Sequence, residues 1–291
     1  MANERNQKAE RPKLSKEEWT EMKALEKESL YTMIDDTADQ VTKDEESLKA
    51  FLDSQARLDR YSAGNALLIH NQFPEATQLK DFNSWTEAKA QVKKGAKAIS
   101  ILEPVEYTKA DGTPAVTFNV KKVFDVSQTT ARKMLAPSVN RDALELVKLI
   151  LSTCPINYEQ AKDLPNNNVA AYYDNDRNTL LVKEGVGDSV STFQAVAQEL
   201  SLAEISVNSK EYSRSKAIIP AMCSAYMLCK KYGVDTKNIN LSRVAEELGK
   251  MEPADIRSNF SRARNALSEV HTRMYEELNK NRAARQQEQS R

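Results

Sequence analysis

The run from Ala217 to Cys229, held between Lys216 and Lys230, is the longest nearly apolar stretch of the chain and the strongest single constraint on its fold. It is too short to span a bilayer, which takes about 20 apolar residues, and a helix that is apolar on every side has to be buried. The chain must therefore build around an internal helix, with Gly233 placed to end it. At 291 residues one large core is feasible, although two smaller domains suit that length better. A hydrophobic share of 40% with 29% charge is that of a soluble globular protein. Met1 to Lys8 contains no apolar segment, so no secretory signal is expected. Three cysteines without a pairing pattern suit a reducing cytoplasm, and no membrane partner is expected.

Periodicity divides the rest of the chain. Residues 1–14 are charged and polar and are expected to form a disordered tail. Ser15 and Glu18 have the spacing of a capping box and open a helix through Trp19, Met22, Leu25 and Leu30. A second helix, starting near Thr42 or Asp44, carries Leu48, Phe51, Leu52 and Leu58 on one face, and a third, Asn65 to Gln72, stops before Pro74. A short helix is expected over Trp85 and Thr86 to Lys93, closed by Lys94 and Gly95. Ala98 to Tyr107 and Ala115 to Phe124 alternate apolar with polar residues about a turn at Ala110 to Pro114, which predicts an antiparallel hairpin packed on the helices before it.

Ala136-Pro137-Ser138 reads as a boundary between a domain of residues 15–135 and one of residues 136–291. The second holds a helix from about Arg141 to Ser152, a polar loop at Leu164 to Asn168, and a hairpin of Val169 to Tyr173 with Thr179 to Lys183. A helix with Val190, Phe193, Val196 and Leu200 follows, then the buried helix, a helix over Leu241 to Leu248, and a long polar one from Pro253 to about Arg285. On that last helix Arg257, Arg262, Arg264 and Arg273 alternate with Asp255, Glu269 and Glu276, which reads as a solvated face.

One set of residues in the first domain points to a family. Tyr61-Ser62, Asn65 to Ile69, Gln72 and Pro74 are followed by Phe82 and Trp85, by Val92 to Gly95, by Ile99, Ile101, Leu102 and Pro104-Val105, and by Val123 to Thr129. In order and spacing, over about residues 45–133, this resembles the N-terminal, single-stranded-DNA-binding domain of ArdC-type antirestriction proteins of plasmids and integrative elements, including the LtrC-like proteins. The resemblance implies an α+β fold: a helical N-terminal segment and an ArdC-like domain with a β-hairpin, then a mostly helical zincin-like domain.

In that family the second domain carries His-Glu-x-x-His on a helix and an acidic third ligand on the next. Here the corresponding stretch, residues 198–202, reads Gln-Glu-Leu-Ser-Leu. Gln198 and Leu202 share one helix face, the geometry two imidazole ligands need, but an amide is a poor zinc ligand and leucine is none. Between Glu211 and Asp235 there is no acidic residue, and Pro220 and Met222 stand near the place of the third ligand. The only histidines, His70 and His271, lie far apart in sequence, and Cys154, Cys223 and Cys229 read as buried thiols. No catalytic residue, metal ligand or cofactor is assigned, and the second domain is expected to be inactive.

Function is then sought in the first domain. Single strands are gripped by aromatic platforms and by cations along the backbone. Residues 80–133 hold 10 basic and 6 acidic side chains, with Lys89, Lys93, Lys94 and Lys97 grouped together. The residues expected to touch DNA are Tyr61, Asn65, Trp85, Lys93, Lys94, Lys97 and Gln128, although Trp85 also suits a core anchor. The expected activity is coating of incoming single-stranded DNA of a mobile element, an antirestriction effect by occlusion. The alternatives are a protein-binding adaptor or inhibitor of a host defence or conjugation component and, more remotely, a metallopeptidase using Glu199, Glu204 and Glu211.

Overall fold

The computed structural model describes residues 15–132, 142–166, 168–185, 187–207 and 211–289, with side chains as far as residue 282. The order of elements is α1 (Lys16–Val41), α2 (Glu45–Arg57), α3 (Ala63–Gln72), β1 (Leu79–Lys80), α4 (Phe82–Glu87), β2 (Ile99–Thr108) and β3 (Pro114–Asp125). Then come α5 (Ala143–Ser152), β4 (Asn157–Ala161), β5 (Ala171–Asp174), β6 (Thr179–Lys183), α6 (Ser189–Val207), α7 (Arg214–Tyr232), α8 (Ser242–Leu248) and α9 (Pro253–Gln289). The fold is α+β. The tail at residues 1–14 and the boundary at Ala136 to Ser138 both lie outside the described residues.

Helix starts follow side-chain chemistry. Ser15 and Glu18 form the capping box at α1. Asp44, Ser62, Asp81 and Asp142 each accept a backbone N–H at the head of α2, α3, α4 and α5, satisfying donors that a first turn leaves unpaired. The Asp81 cap also explains a departure from expectation. It starts α4 at Phe82, and the chain leaves the helix by Lys89, which adopts φ +58, so most of Thr86 to Lys93 is not helical.

Each hairpin is part of a three-stranded sheet. β2 and β3 pair antiparallel with Ile99 opposite Val123 and Tyr107 opposite Ala115, and β1 adds to the other side of β3, giving the order β1-β3-β2. In the second sheet the order is β4-β6-β5, with β4 parallel to β6. β4, Asn-Tyr-Glu-Gln-Ala, is exposed along almost its whole length, so it has no apolar alternation by which sequence could reveal it.

α7 lies in the middle of the molecule, as its composition requires. Ala217, Ala221, Cys223, Met227, Leu228 and Cys229 are buried, and Gly233 closes the helix at φ +72, a left-handed conformation that favours glycine. Burial pushes the thiols of Cys223 and Cys229 up to about 12, so both behave as small apolar side chains. Pro220 inside α7 cannot donate to the carbonyl of Lys216. Arg262 of α9 donates to that oxygen instead, at 3.3 Å.

A single apolar cluster crosses the expected boundary. It joins Leu30, Ile34, Leu48, Phe51 and Leu67 of α1 to α3 with Phe193, Met227, Phe260 and Leu267 of α6, α7 and α9. Phe51 and Phe260 touch with ring centroids 4.6 Å apart. Around this contact the acids of the first helices meet donors of the last ones: Asp35 pairs with Arg257, Asp53 with Lys230 at 2.9 Å and Asp59 with Lys231 at 2.8 Å. Arg273 also pairs with Glu204, at 2.5 Å, and Arg264 donates to the carbonyl of Asp59 at 2.8 Å. The arginines of α9 therefore fasten the fold, which corrects the reading of a purely solvated face.

Candidate functional site

The loop that follows α4 presents Lys93, Lys94 and Lys97, all exposed, and no carboxylate among the described residues pairs with them. Its backbone is pinned from behind. Lys93 N–H donates to the carbonyl of Gln128 at 2.9 Å, Thr130 N–H to that of Gln91 at 2.9 Å, and Lys93 Nζ to that of Ser127 at 2.8 Å. Gly95 makes the bend at φ +85. A fixed loop loses less conformational freedom on binding than a mobile one. The lysines of β3 differ, because their charge is already answered: Lys121 pairs with Glu103 and Asp81, and Lys122 with Glu26.

The other expected contacts divide by burial. Trp85 is 3% exposed and donates its indole N–H to the carbonyl of Phe124 at 2.9 Å. It anchors the core and cannot stack on a base, so the expectation of a DNA contact there is corrected. Asn65 is also a structural residue. Its amide donates to the carbonyl of Leu102 and accepts from the N–H of the same residue, both at 2.8 Å. Gln128 accepts from Asp125 N–H and donates to the carbonyl of Lys97, again both at 2.8 Å, so it positions the lysine loop.

Beneath that loop Asp125 is almost fully buried and accepts from the backbone N–H groups of Thr77, Gln78 and Ser127. Burial alone raises its pKa, but those donors outweigh it and hold the carboxyl below its usual value. Of the expected contacts, Tyr61 remains available with the three lysines. It is half-buried and lines a groove of about 340 Å³ with Lys80, Ser84, Glu103 and Lys121. Phe82, Tyr107 and Phe118 are exposed aromatic rings that sequence reasoning did not assign to DNA. Strand alternation gives which residues share a face, but not which face the helices leave open.

The Gln198 to Leu202 stretch of α6 borders a cleft of about 620 Å³, lined by Asn168, Ala171, Gln194, Gln198, Glu199 and Asn238 among others. Glu199 is 3% exposed. Arg214 Nη2 donates to its two oxygens at 2.7 and 2.8 Å, and Tyr173 N–H donates to Oε2 at 2.7 Å. Arg214 Nη1 in turn donates to the Tyr173 carbonyl at 3.3 Å, and its guanidinium carbon lies 4.5 Å from the centre of the Tyr172 ring. β5 is an edge strand, so the pair occupies both backbone groups that Tyr173 would offer an incoming strand. Arg214 is the residue that sequence reasoning missed here; it stands 15 positions from its partner, beyond the reach of any helical spacing.

Comparison with known proteins covers both halves. Residues 27–136 match the family described as the N-terminal domain of anti-restriction factor ArdC. Over that stretch the chain resembles the ArdC N-terminal domain. The metal-free crystal structure of the antirestriction protein ArdC from plasmid R388 is similar at a TM-score of 0.51 and 15% identity, over 74% of this chain and 86% of that one. For the Mn(II)-bound structure of the same protein the values are 0.52, 14%, 74% and 85%. No curated protein sequence matches the chain. At these identities the likeness is one of fold.

One structure of the R388 protein holds Mn(II), which raises the question of a divalent cation at the Gln198 to Leu202 stretch of this chain. The residues do not fit one. Leu202 is fully buried and apolar, Gln198 offers a neutral amide, and the carboxylate of Glu199 is held by Arg214 and Tyr173. Among the described residues no three His, Cys, Asp or Glu side chains come together as a metal site would require.

Proposed function

We propose that this ArdC-like protein binds single-stranded DNA through the Lys93, Lys94 and Lys97 loop, with the Tyr61 groove and exposed rings such as Phe82 receiving bases. Protection of incoming DNA of a mobile element then comes from occlusion, with no bond made or broken. The observation that carries this reading is the set of three exposed lysines without carboxylate partners, on a backbone-pinned loop inside the stretch that matches the ArdC N-terminal domain. Phosphate contacts are salt-dependent, with a slope of about 0.7 per phosphate for single strands. In fluorescence anisotropy with a single-stranded oligonucleotide, the Lys93→Glu/Lys94→Glu/Lys97→Glu variant is expected to bind at least about tenfold more weakly, with a salt slope lower by about 2. Equal affinity for duplex and single strand, or wild-type affinity in that variant, sinks the reading.

A second reading, a protein-binding adaptor, is favoured by one observation: Trp19, Met22 and Leu25 on the first turns of α1 are 53%, 43% and 59% exposed. If Trp19→Ser/Met22→Ser/Leu25→Ser abolishes protection in cells while oligonucleotide affinity is unchanged, protection runs through a protein partner.

A further inference from the structure

A buried carboxylate has to be neutralised or paired, because leaving it charged and alone in the interior costs more than most single side chains contribute. Glu199 meets that demand entirely within the chain. Three strong donor contacts, two from Arg214 and one from Tyr173 N–H, fall on its two oxygens, and Gln198 Nε2 lies 3.4 Å from Oε1. The guanidinium is itself placed by contacts that do not involve Glu199, the carbonyl of Tyr173 and the ring of Tyr172. The cation is therefore fixed by α7 and β5 together, and it faces a carboxylate fixed by α6. These three elements wall the cleft, and among the described residues Arg214 is the charged side chain that pairs with the carboxylate.

We propose that Arg214 is the built-in cation of the C-terminal half. It supplies the positive charge that a metal ion would bring near Glu199 if residues 198 and 202 were imidazoles, so the half holds its shape without a bound ion. The same contact closes the Tyr173 edge of β5, which leaves a cleft that is neutral at its base and unable to add an extended peptide at that residue. This inference is independent of DNA binding and concerns the other half of the chain.

The test uses the full-length wild type, Arg214→Met, and the double variant Glu199→Gln/Arg214→Met. Each is melted in chelator and in excess Mn(II) or Zn(II), and the metal content of the purified protein is measured. The wild type is expected to contain no stoichiometric metal and to melt at the same temperature in either condition. Arg214→Met is expected to lower the Tm by roughly 5–10 °C, as removal of one member of a buried pair does. The double variant, which removes the stranded charge, is expected to recover most of that loss. If Arg214→Met does not fold at all, recovery of a folded double variant decides the matter in the same way. The proposal is overturned by a wild type that carries about one metal ion per chain and loses stability in chelator. It is equally overturned by an Arg214→Met variant that melts like the wild type, or by a loss that Glu199→Gln does not relieve.

Discussion

His271 is a side chain whose ionisation is bound to the fold. It sits where α9 meets α7 and the end of α2, with Nδ1 2.9 Å from the Tyr232 hydroxyl and Nε2 4.0 Å from Asp59. Burial, helped by the charge of Lys231 and opposed by Asp59, pulls its pKa down from 6.5 to about 4. A histidine depressed in the folded state stays neutral there while the unfolded chain takes up a proton. Its contribution is therefore complete above pH 6.5 and is lost as pH falls from there to about 4. A shift of that size corresponds to about 3 kcal/mol. Urea midpoints measured across that window are expected to fall steadily in the wild type and much less in His271→Gln. Glu45, held down to about 2 by Lys49, Ser242 and the Leu241 N–H, begins to lose its own contribution once pH falls below its ordinary value of 4.5, so the histidine is read in the part of the window above that. At this scale the sequence is legible for charge and poorly legible for commitment. Lys93, Lys94 and Lys97 are exposed as composition suggests. Asn65, Gln128 and Trp85 carry groups that could equally serve a ligand or the backbone, and only tertiary geometry assigns them to Leu102, Lys97 and Phe124.

Among the elements, β2 shows how this chain protects an open strand. Its outward backbone groups belong to even-numbered residues, and α3 covers the first two of these. Asn65 takes both groups of Leu102, while Gln72, seven residues on, takes both groups of Ser100 at 2.9 Å. The next outward position is Pro104, which has no N–H to offer. Changing Asn65 and Gln72 to alanine strips partners from four backbone groups. The expected cost is about 1–3 kcal/mol for each amide removed, together with a rise in aggregation on warming as the edge opens. Oligonucleotide affinity of the folded fraction is expected to stay at the wild-type value; a drop in affinity without a change in Tm would make Asn65 a DNA contact after all. Elements with a strong apolar period, α2, α5 and the β2–β3 hairpin, are legible in the sequence because one face is buried. β1 has two residues and β4 buries almost nothing, so neither has a pattern to read. α4 is displaced because an Asp81 cap outweighs the helix-compatible run after Trp85.

For the whole molecule the central question is whether residues 15–132 can stand alone. The acid-base pairs between the first and last helices are partly exposed, and such pairs contribute about 0–1 kcal/mol each. They set register more than they supply adhesion. The packing of Ile34, Leu48, Phe51 and Leu67 against Met227, Phe260 and Leu267 is of another order, because fully buried apolar side chains of this size contribute about 1.5–3 kcal/mol apiece. A fragment ending near residue 135 exposes that face of α1, α2 and α3. It is expected to bind a hydrophobic dye and to melt without a cooperative transition, whereas the full chain melts as one unit. Phe51→Ala in the full chain is expected to lower stability by about 3–5 kcal/mol and to do so for both halves together, read by hydrogen exchange in α3 and in α9. If exchange accelerates in α3 and leaves α9 protected, or if the fragment melts cooperatively and binds an oligonucleotide as tightly as the full chain, the halves are separate folding units. The coupled fold also governs how the DNA reading is tested, because loss of binding in the fragment would report loss of folding. The lysine loop must therefore be probed in the intact chain, where α3, β2 and the pinned backbone hold it in place.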